Sequence, residues 1–288
     1  MPIQTENHRI VGARYVASPN VSGALSPRGI MLHFTASYSS AVAWLTNPAA
    51  NASAHVEVDN DGTLVQMVPF NVRAWHAGTA NKGSNPYPNA TDIGVEIVNP
   101  GFYRVDASSP TGFRFPDRLP DGSYAAVPAS VAARYTHGPV TVNPVYGSAP
   151  IVWVDCLPAQ IAATKALVSA LCAAYPGIVH IGVHSDARSD KSDFLSPRFP
   201  IDEFKALVPR GGAAPSAGLF VGMPQSPAVE ALQRALVDGG WLPNPRGDQV
   251  DGWFGEGTKR AVVAFQTAKG LVADGVARPA TLAALGLA

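Results

Sequence analysis

A chain of 288 residues, 47% apolar and 15% charged, has enough material for two globular domains. Its 21 basic and 21 acidic residues cancel, which excludes the strong positive field that nucleic acid or an anionic membrane surface would attract. No apolar run reaches the roughly 18 residues of a membrane span, and residues 1–9 lack the apolar core of a signal peptide, so neither membrane insertion nor export by the usual leader is expected.

Residues 1–28 read as irregular, punctuated by Pro19 and Pro27. Gly29 to Phe34 reads as a buried strand with His33 near its end, followed by a short helix through Ala43, Trp44 and Leu45. Ala54 to Val58 alternates as a strand, Asp59-Asn60-Asp61-Gly62 supplies a turn, and Thr63 to Val68 returns as a hairpin. Trp75-His76-Ala77-Gly78 closes a loop. Asp92 to Val98 is a further strand, with Ile93, Val95 and Ile97 on one face and Glu96 on the other. From Asn99 to Val152 the chain is rich in Pro, Gly and aromatic residues with weak periodicity. A structureless loop of that length is unusual, so the segment is expected to fold over something, such as one wall of a cleft.

Pro158 to Tyr175 is an amphipathic helix with Ile161, Val168, Leu171, Cys172 and Tyr175 as its stripe. Its rise of about 21 Å up to Cys172 keeps that residue out of disulfide reach of Cys156, so both are expected as free thiols. Ile178 to Val183 is β-branched and reads as a strand. On a strand His180 and His184 share a face but sit roughly 13 Å apart, too far to share a metal at a bond length of about 2 Å. His184, at the strand end, is therefore the candidate ligand, and the following loop offers Asp186, Asp190 and Asp193 beside it. Ile201 to Leu207 looks like a closing helix.

Residues 209–218 have the composition of a flexible linker. Beyond them Val229–Leu236, Ala261–Gln266 and Pro279–Leu285 read as three short helices, a module close to the smallest that folds alone. The expected division is 1–208, a linker at 209–218, and 219–288.

Four blocks resemble one family: Met31-Leu32-His33-Phe34-Thr35; Ser53-Ala54-His55 through Trp75-His76-Ala77-Gly78; Ile93-Gly94-Val95-Glu96-Ile97; and His184-Ser185-Asp186 to Lys191-Ser192-Asp193. In this order they resemble the zinc-dependent N-acetylmuramoyl-L-alanine amidases of the type-2 amidase fold, which is shared with T7 lysozyme and peptidoglycan recognition proteins. The resemblance implies an α/β fold, a mixed sheet flanked by helices. It also implies zinc ligation by His33, His184 and Asp193, a set that leaves a fourth position open. Glu96 matches the general base and Lys191 the residue that stabilises the oxyanion. The bond cut would join the lactyl group of muramic acid to the first L-alanine of the stem peptide. His55 and His76 would support the site from behind and Asp186 would serve a turn, while His8, His137 and His180 receive no role. The family writes about ten residues from its second histidine to the aspartate; here the interval is nine, and Asp190 stands where the family has arginine, which makes Asp190 the alternative third ligand.

The C-terminal module is similar to the three-helix peptidoglycan-binding domain through Leu232-Gln233, Asp251-Gly252-Trp253-Phe254-Gly255, Thr258, Ala261-Val262, Phe265-Gln266 and Asp274-Gly275. The partner implied is bacterial peptidoglycan, and the implied setting is a wall-lytic phage endolysin first and a bacterial cell-wall amidase second. A non-catalytic wall-recognition protein is the alternative, although a pure binder has no need of Glu96. A glycosidase would want two carboxylates flanking a sugar cleft, whereas the pattern here is one of metal ligands.

Overall fold

The computed structural model describes residues 2–82, 87–208, 218–221, 226–243 and 249–287. At its centre is a six-stranded mixed sheet. In spatial order its strands are His180–Val183, Gly29–Phe34, Asp92–Ile97, Val56–Val58, Leu64–Gln66 and Arg14–Tyr15. The first four run parallel. Val56–Val58 and Leu64–Gln66 form the expected hairpin, and Arg14–Tyr15 lies parallel to its outer arm.

The alternation of side chains across a strand divides this sheet into an apolar face and a chemical one. Ile30, Leu32, Val56, Val58, Ile93, Val95, Ile97, Ile181 and Val183 belong to one buried cluster, which Leu167, Val168, Leu171 and Cys172 of the helix Pro158–Ala174 complete. Each such aliphatic side chain contributes on the order of 1.5–3 kcal/mol by leaving water. The intervening residues, among them Met31, His33, His55, Glu57, Gly94 and Glu96, take the other face. Parallel register sets His33 opposite Glu96 and Glu96 opposite Glu57, so three of them form a row across neighbouring strands.

The long helix starts where Pro158 has no N–H to leave unpaired. Gln160 fixes it to the sheet: its Oε1 accepts the Leu157 N–H at 2.9 Å and its Nε2 donates to the Val98 carbonyl at 2.6 Å. It stops at Ala174 because Tyr175 precedes Pro176, a position that disfavours helical backbone. Cys156 and Cys172 are free thiols.

One expectation changes. Residues 1–28 are not irregular: Thr5–Glu6 pairs with Arg9–Ile10, Arg14–Tyr15 joins the main sheet, and Val21–Ala24 pairs with Val72–Ala74. Strands of two to four residues are too short to carry a visible period. The segment after Asn99 holds a second, five-stranded antiparallel sheet, in the spatial order Tyr124–Ala126, Phe113–Arg118, Phe102–Val105, Gly147–Val154 and His137–Asn143. It has its own core of Tyr103, Val127, Val131, Tyr135, Val152 and Val154. Register shifts in two of its ladders interrupt the alternation that would have revealed it.

The expected linker, apart from Gly218, lies outside the described residues. The three C-terminal helices are Pro227–Asp238, Glu256–Ala268 and Pro279–Ala284, packed around Val229, Leu232, Leu236, Phe254, Val262 and Phe265. Two similar locks brace them. Gln233 Oε1 accepts the Gly252 N–H at 2.8 Å while its Nε2 donates to the Trp253 carbonyl and to Thr258 Oγ1. Gln266 repeats the pattern with the Gly275 N–H at 2.9 Å, the Val276 carbonyl and Thr281 Oγ1. Phe220, which leads into this module, lies under the Arg28 guanidinium at 4.0 Å. Among the described residues, no helix is long and apolar enough to cross a membrane.

Candidate metal centre and active site

The carboxyl ends of the parallel strands meet at one edge of the sheet, the place where open α/β sheets form ligand sites. His33 is the penultimate residue of its strand and 1% exposed. His184 opens the one-turn helix His184–Ala187 directly after Val183, a turn held by Asp186, whose Oδ2 accepts the Val183 N–H at 3.1 Å. Asp193 lies in the loop beyond, buried, with its Oδ1 accepting the Phe34 N–H at 3.4 Å and its carbonyl accepting Ser185 Oγ–H at 2.8 Å.

These three side chains converge. Nδ1 of His33 and Nδ1 of His184 each lie 3.8 Å from Asp193 Oδ1, and the two rings meet edge to face with centroids 4.6 Å apart. One ligand atom from each residue lies within 4.8 Å of the others. Asp190, the alternative, turns away: its carboxylate forks the Arg188 guanidinium at 2.9 Å on the surface. The shortened loop therefore still delivers Asp193 to the cluster.

Behind the cluster stand the other two family histidines. His33 Nε2 is 3.0 Å from His76 Nδ1, and His76 Nε2 is 3.1 Å from the Asp92 carbonyl. His55 accepts the Gly94 N–H at Nδ1 and donates from Nε2 to the Val72 carbonyl, both at 2.9 Å. Burial lowers all three imidazoles. His33 is held well below the usual histidine range, with the positive charges that His184, His76 and Lys191 can carry adding to the effect. His76 is brought to about 4 and His55 to about 3. All three rings are neutral near pH 7.

Two imidazoles and a carboxylate meeting at one point suit a divalent cation. A tetrahedral ion with bonds of about 2.0–2.2 Å sets neighbouring ligand atoms about 3.4 Å apart, close to the 3.8 Å found. The donor set fits zinc, with ligand atoms that lie within 4.8 Å of one another drawing in around the ion.

Glu96 stands beside this cluster with its Oε2 buried and without a hydrogen-bond partner. Burial first, then the negative charges of Asp193 and Glu57, push its pKa up to about 8 against the pull of Lys191. A carboxyl titrating near neutrality is suited to carry a proton. Glu57, in sequence an ordinary member of its strand, is fully buried. It accepts Ser40 Oγ–H at 2.5 Å and the Ala41 N–H at 2.7 Å, tying the start of the Trp44 helix to the sheet. Its one sequence signal is parity: it shares the strand face of His55.

The cluster opens into a cleft of about 340 Å³ that Glu96, Lys191 and Trp44 also line. Its far wall comes from the second sheet through Phe102, Arg104 and Tyr146, as the length of that segment suggested. Neither Arg104 nor Tyr146 carried a readable signal, because both sit in the stretch whose strands were hidden. His180, given no role, pairs with Asp92 Oδ2 at 3.1 Å, at the far end of its strand from Val183. His8 reaches Tyr175 Oη at 2.9 Å and His137 packs edge-on against Phe113.

The chain is similar to proteins of known kind. It is 47% identical over 45 residues to the 1,6-anhydro-N-acetylmuramyl-L-alanine amidase AmpD of Salmonella typhimurium, a span of 16% of this chain and 24% of that protein. To the N-acetylmuramoyl-L-alanine amidase CwlA of a Bacillus species it is 40% identical over 76 residues, 25% of this chain and 29% of that one. The chain thus spans about a quarter of the length of the curated relatives it matches. Among solved structures, the complex of the N-acetylmuramyl-L-alanine amidase AmiD from E. coli aligns at 19% identity, covering 99% of this chain and 96% of that one with a TM-score of 0.41. Residues 225–285 match the family described as putative peptidoglycan binding domain. Residues 23–197, more than half of the chain, match the family described as N-acetylmuramoyl-L-alanine amidase, and it is to this family that the chain belongs.

Proposed function

We propose that the chain hydrolyses the amide between the lactyl group of muramic acid and the first L-alanine of the peptidoglycan stem peptide, with zinc held by His33, His184 and Asp193. The observation that carries this reading is the meeting of two imidazoles and a buried carboxylate beside Glu96, a carboxyl with an unpartnered oxygen. Its similarity to proteins named as muramyl-L-alanine amidases supports the same reading.

When bound, zinc supplies Lewis acidity and brings the pKa of water close to neutral. Glu96 takes the proton of the attacking water and returns it to the leaving amine. Lys191 lines the same cleft and sets a fixed positive charge against the oxyanion that forms at the carbonyl. Residues 1–208 would form the catalytic domain, 209–218 a tether, and 219–288 a module that holds the enzyme on an insoluble wall.

Mass spectrometry of digested peptidoglycan tests the bond assignment. The expected products are stem peptides with a free L-alanine amino group and intact glycan chains. New reducing sugar ends, or cuts within the peptide, would overturn it. Chelation should abolish this activity and added zinc should restore it.

A further inference from the structure

A carbonyl oxygen only accepts hydrogen bonds, so the 3.1 Å contact from His76 to the Asp92 carbonyl requires a proton on His76 Nε2. In the neutral ring that leaves Nδ1 bare. The 3.0 Å contact between His76 Nδ1 and His33 Nε2 must then be donated by His33. His33 is thereby left with an unprotonated Nδ1, the atom that faces Asp193 at 3.8 Å.

His76 is built into its place. A Cβ at Gly94 would sit 2.4 Å from His76 Cγ, so the ring occupies a slot that only glycine leaves open. Asn89 Oδ1 accepts both the His76 N–H at 3.0 Å and the Ala77 N–H at 2.8 Å, clamping the loop. The next residue treats the second histidine alike: the Ala77 carbonyl faces His184 Nε2 at 3.4 Å, which again leaves Nδ1 towards Asp193.

We propose that His76 is a positioning residue that locks His33 in the Nε2-protonated tautomer, so that the bare Nδ1 is presented to the metal. This rests on the zinc reading given above. The same two-residue stretch, His76 by its side chain and Ala77 by its carbonyl, then sets both imidazole ligands before any ion arrives. An unlocked His33 would spend part of its time with the proton on Nδ1 and would have to exchange it to bind. Partners behind a metal ligand typically govern affinity by about 10–100-fold.

The test uses the full chain and zinc alone. Zinc dissociation constants are measured by competition with a chelating indicator for the wild type, His76→Leu and His76→Asn, and the tautomer of His33 is read from side-chain 15N shifts in the zinc-free wild type. His76→Leu removes the acceptor and should weaken zinc by about 10–100-fold. His76→Asn keeps an oxygen acceptor near the Nδ1 position and should recover most of that loss. The zinc-free wild type should show His33 protonated at Nε2. Equal zinc affinity for wild type and His76→Leu overturns the proposal, as does equal weakness of the Leu and Asn variants. If His76→Leu does not fold, the 15N reading decides alone, and a proton found on His33 Nδ1 sinks the lock. Failure of the wild type itself to bind one zinc would instead sink the amidase reading.

Discussion

At the scale of single residues, the proposed base Glu96 is also a buried carboxyl that the fold must hold. Glu96→Gln preserves shape and removes the base, so zinc binding should persist while turnover on muropeptide falls by about 10²-fold or more. The same residue should destabilise the metal-free fold. Its folded pKa of about 8 stands above the ordinary 4.5, so between these values the folded chain keeps a proton that the unfolded chain has released. Stability then falls as pH rises through that window. Without metal, Glu96→Gln should therefore melt above the wild type at pH 8.5, by roughly 3–8 °C, and level with it at pH 4. Equal melting at both values would mean that the carboxyl is better solvated than its surroundings indicate.

At the scale of elements, Gly94 shows how closely the catalytic strand and the loop behind it are fitted. Gly94→Ala drives a methyl group into His76 and should cost about 1–3 kcal/mol, read as a lowered melting temperature together with weaker zinc binding. The second sheet is a separable wall. The Val154 N–H bonds the Gly101 carbonyl at 3.0 Å, so a two-residue linker can replace residues 102–153. Because that sheet keeps its own core, the shortened protein should fold, and kcat/KM on muropeptide should drop as the far side of the cleft is lost. Unchanged kcat/KM would remove Phe102, Arg104 and Tyr146 from substrate binding.

The Gly29–Phe34 and Asp92–Ile97 strands and the Pro158 helix were legible because each carries an unbroken period. The meeting of His33, His184 and Asp193 needed the family resemblance, since His33 and His184 lie on different strands' ends and sequence spacing says nothing about a parallel register. Glu57 was hidden for another reason. Its value lies in Ser40 and Ala41, 17 and 16 residues earlier, which no local pattern connects to it.

At the scale of the whole molecule, the central sheet and the C-terminal helices hold separate cores, and the contacts between them include Phe220 under Arg28. Residues 1–208 alone should fold and cleave soluble muropeptide near the full-length rate, because every proposed ligand and proton carrier lies before Phe194. On intact wall the truncated chain should be slower, by about 10-fold or more, as the local concentration provided by the tether is lost. Equal impairment on both substrates would make the helices part of the cleft. Arg28 immediately precedes the Gly29–Phe34 strand, whereas His33 sits near that strand's other end. Phe220→Ala should accordingly alter how the two parts are arranged in solution scattering while leaving soluble turnover intact.

The division of the central sheet into two faces is a matter of odd and even counting. Leu32 and His33, Val95 and Glu96, Val56 and Glu57 are neighbours in sequence, yet one of each pair builds the apolar interior and the other takes the polar face of the sheet. One residue inserted within any of these strands would exchange the two sets downstream, placing histidine or glutamate against the helix and leucine or valine in the cleft. Two inserted residues would restore the order. Core and catalytic machinery are in this sense a single code with a two-letter reading frame, and natural length changes in this chain's relatives should fall between the strands or come within them in even steps.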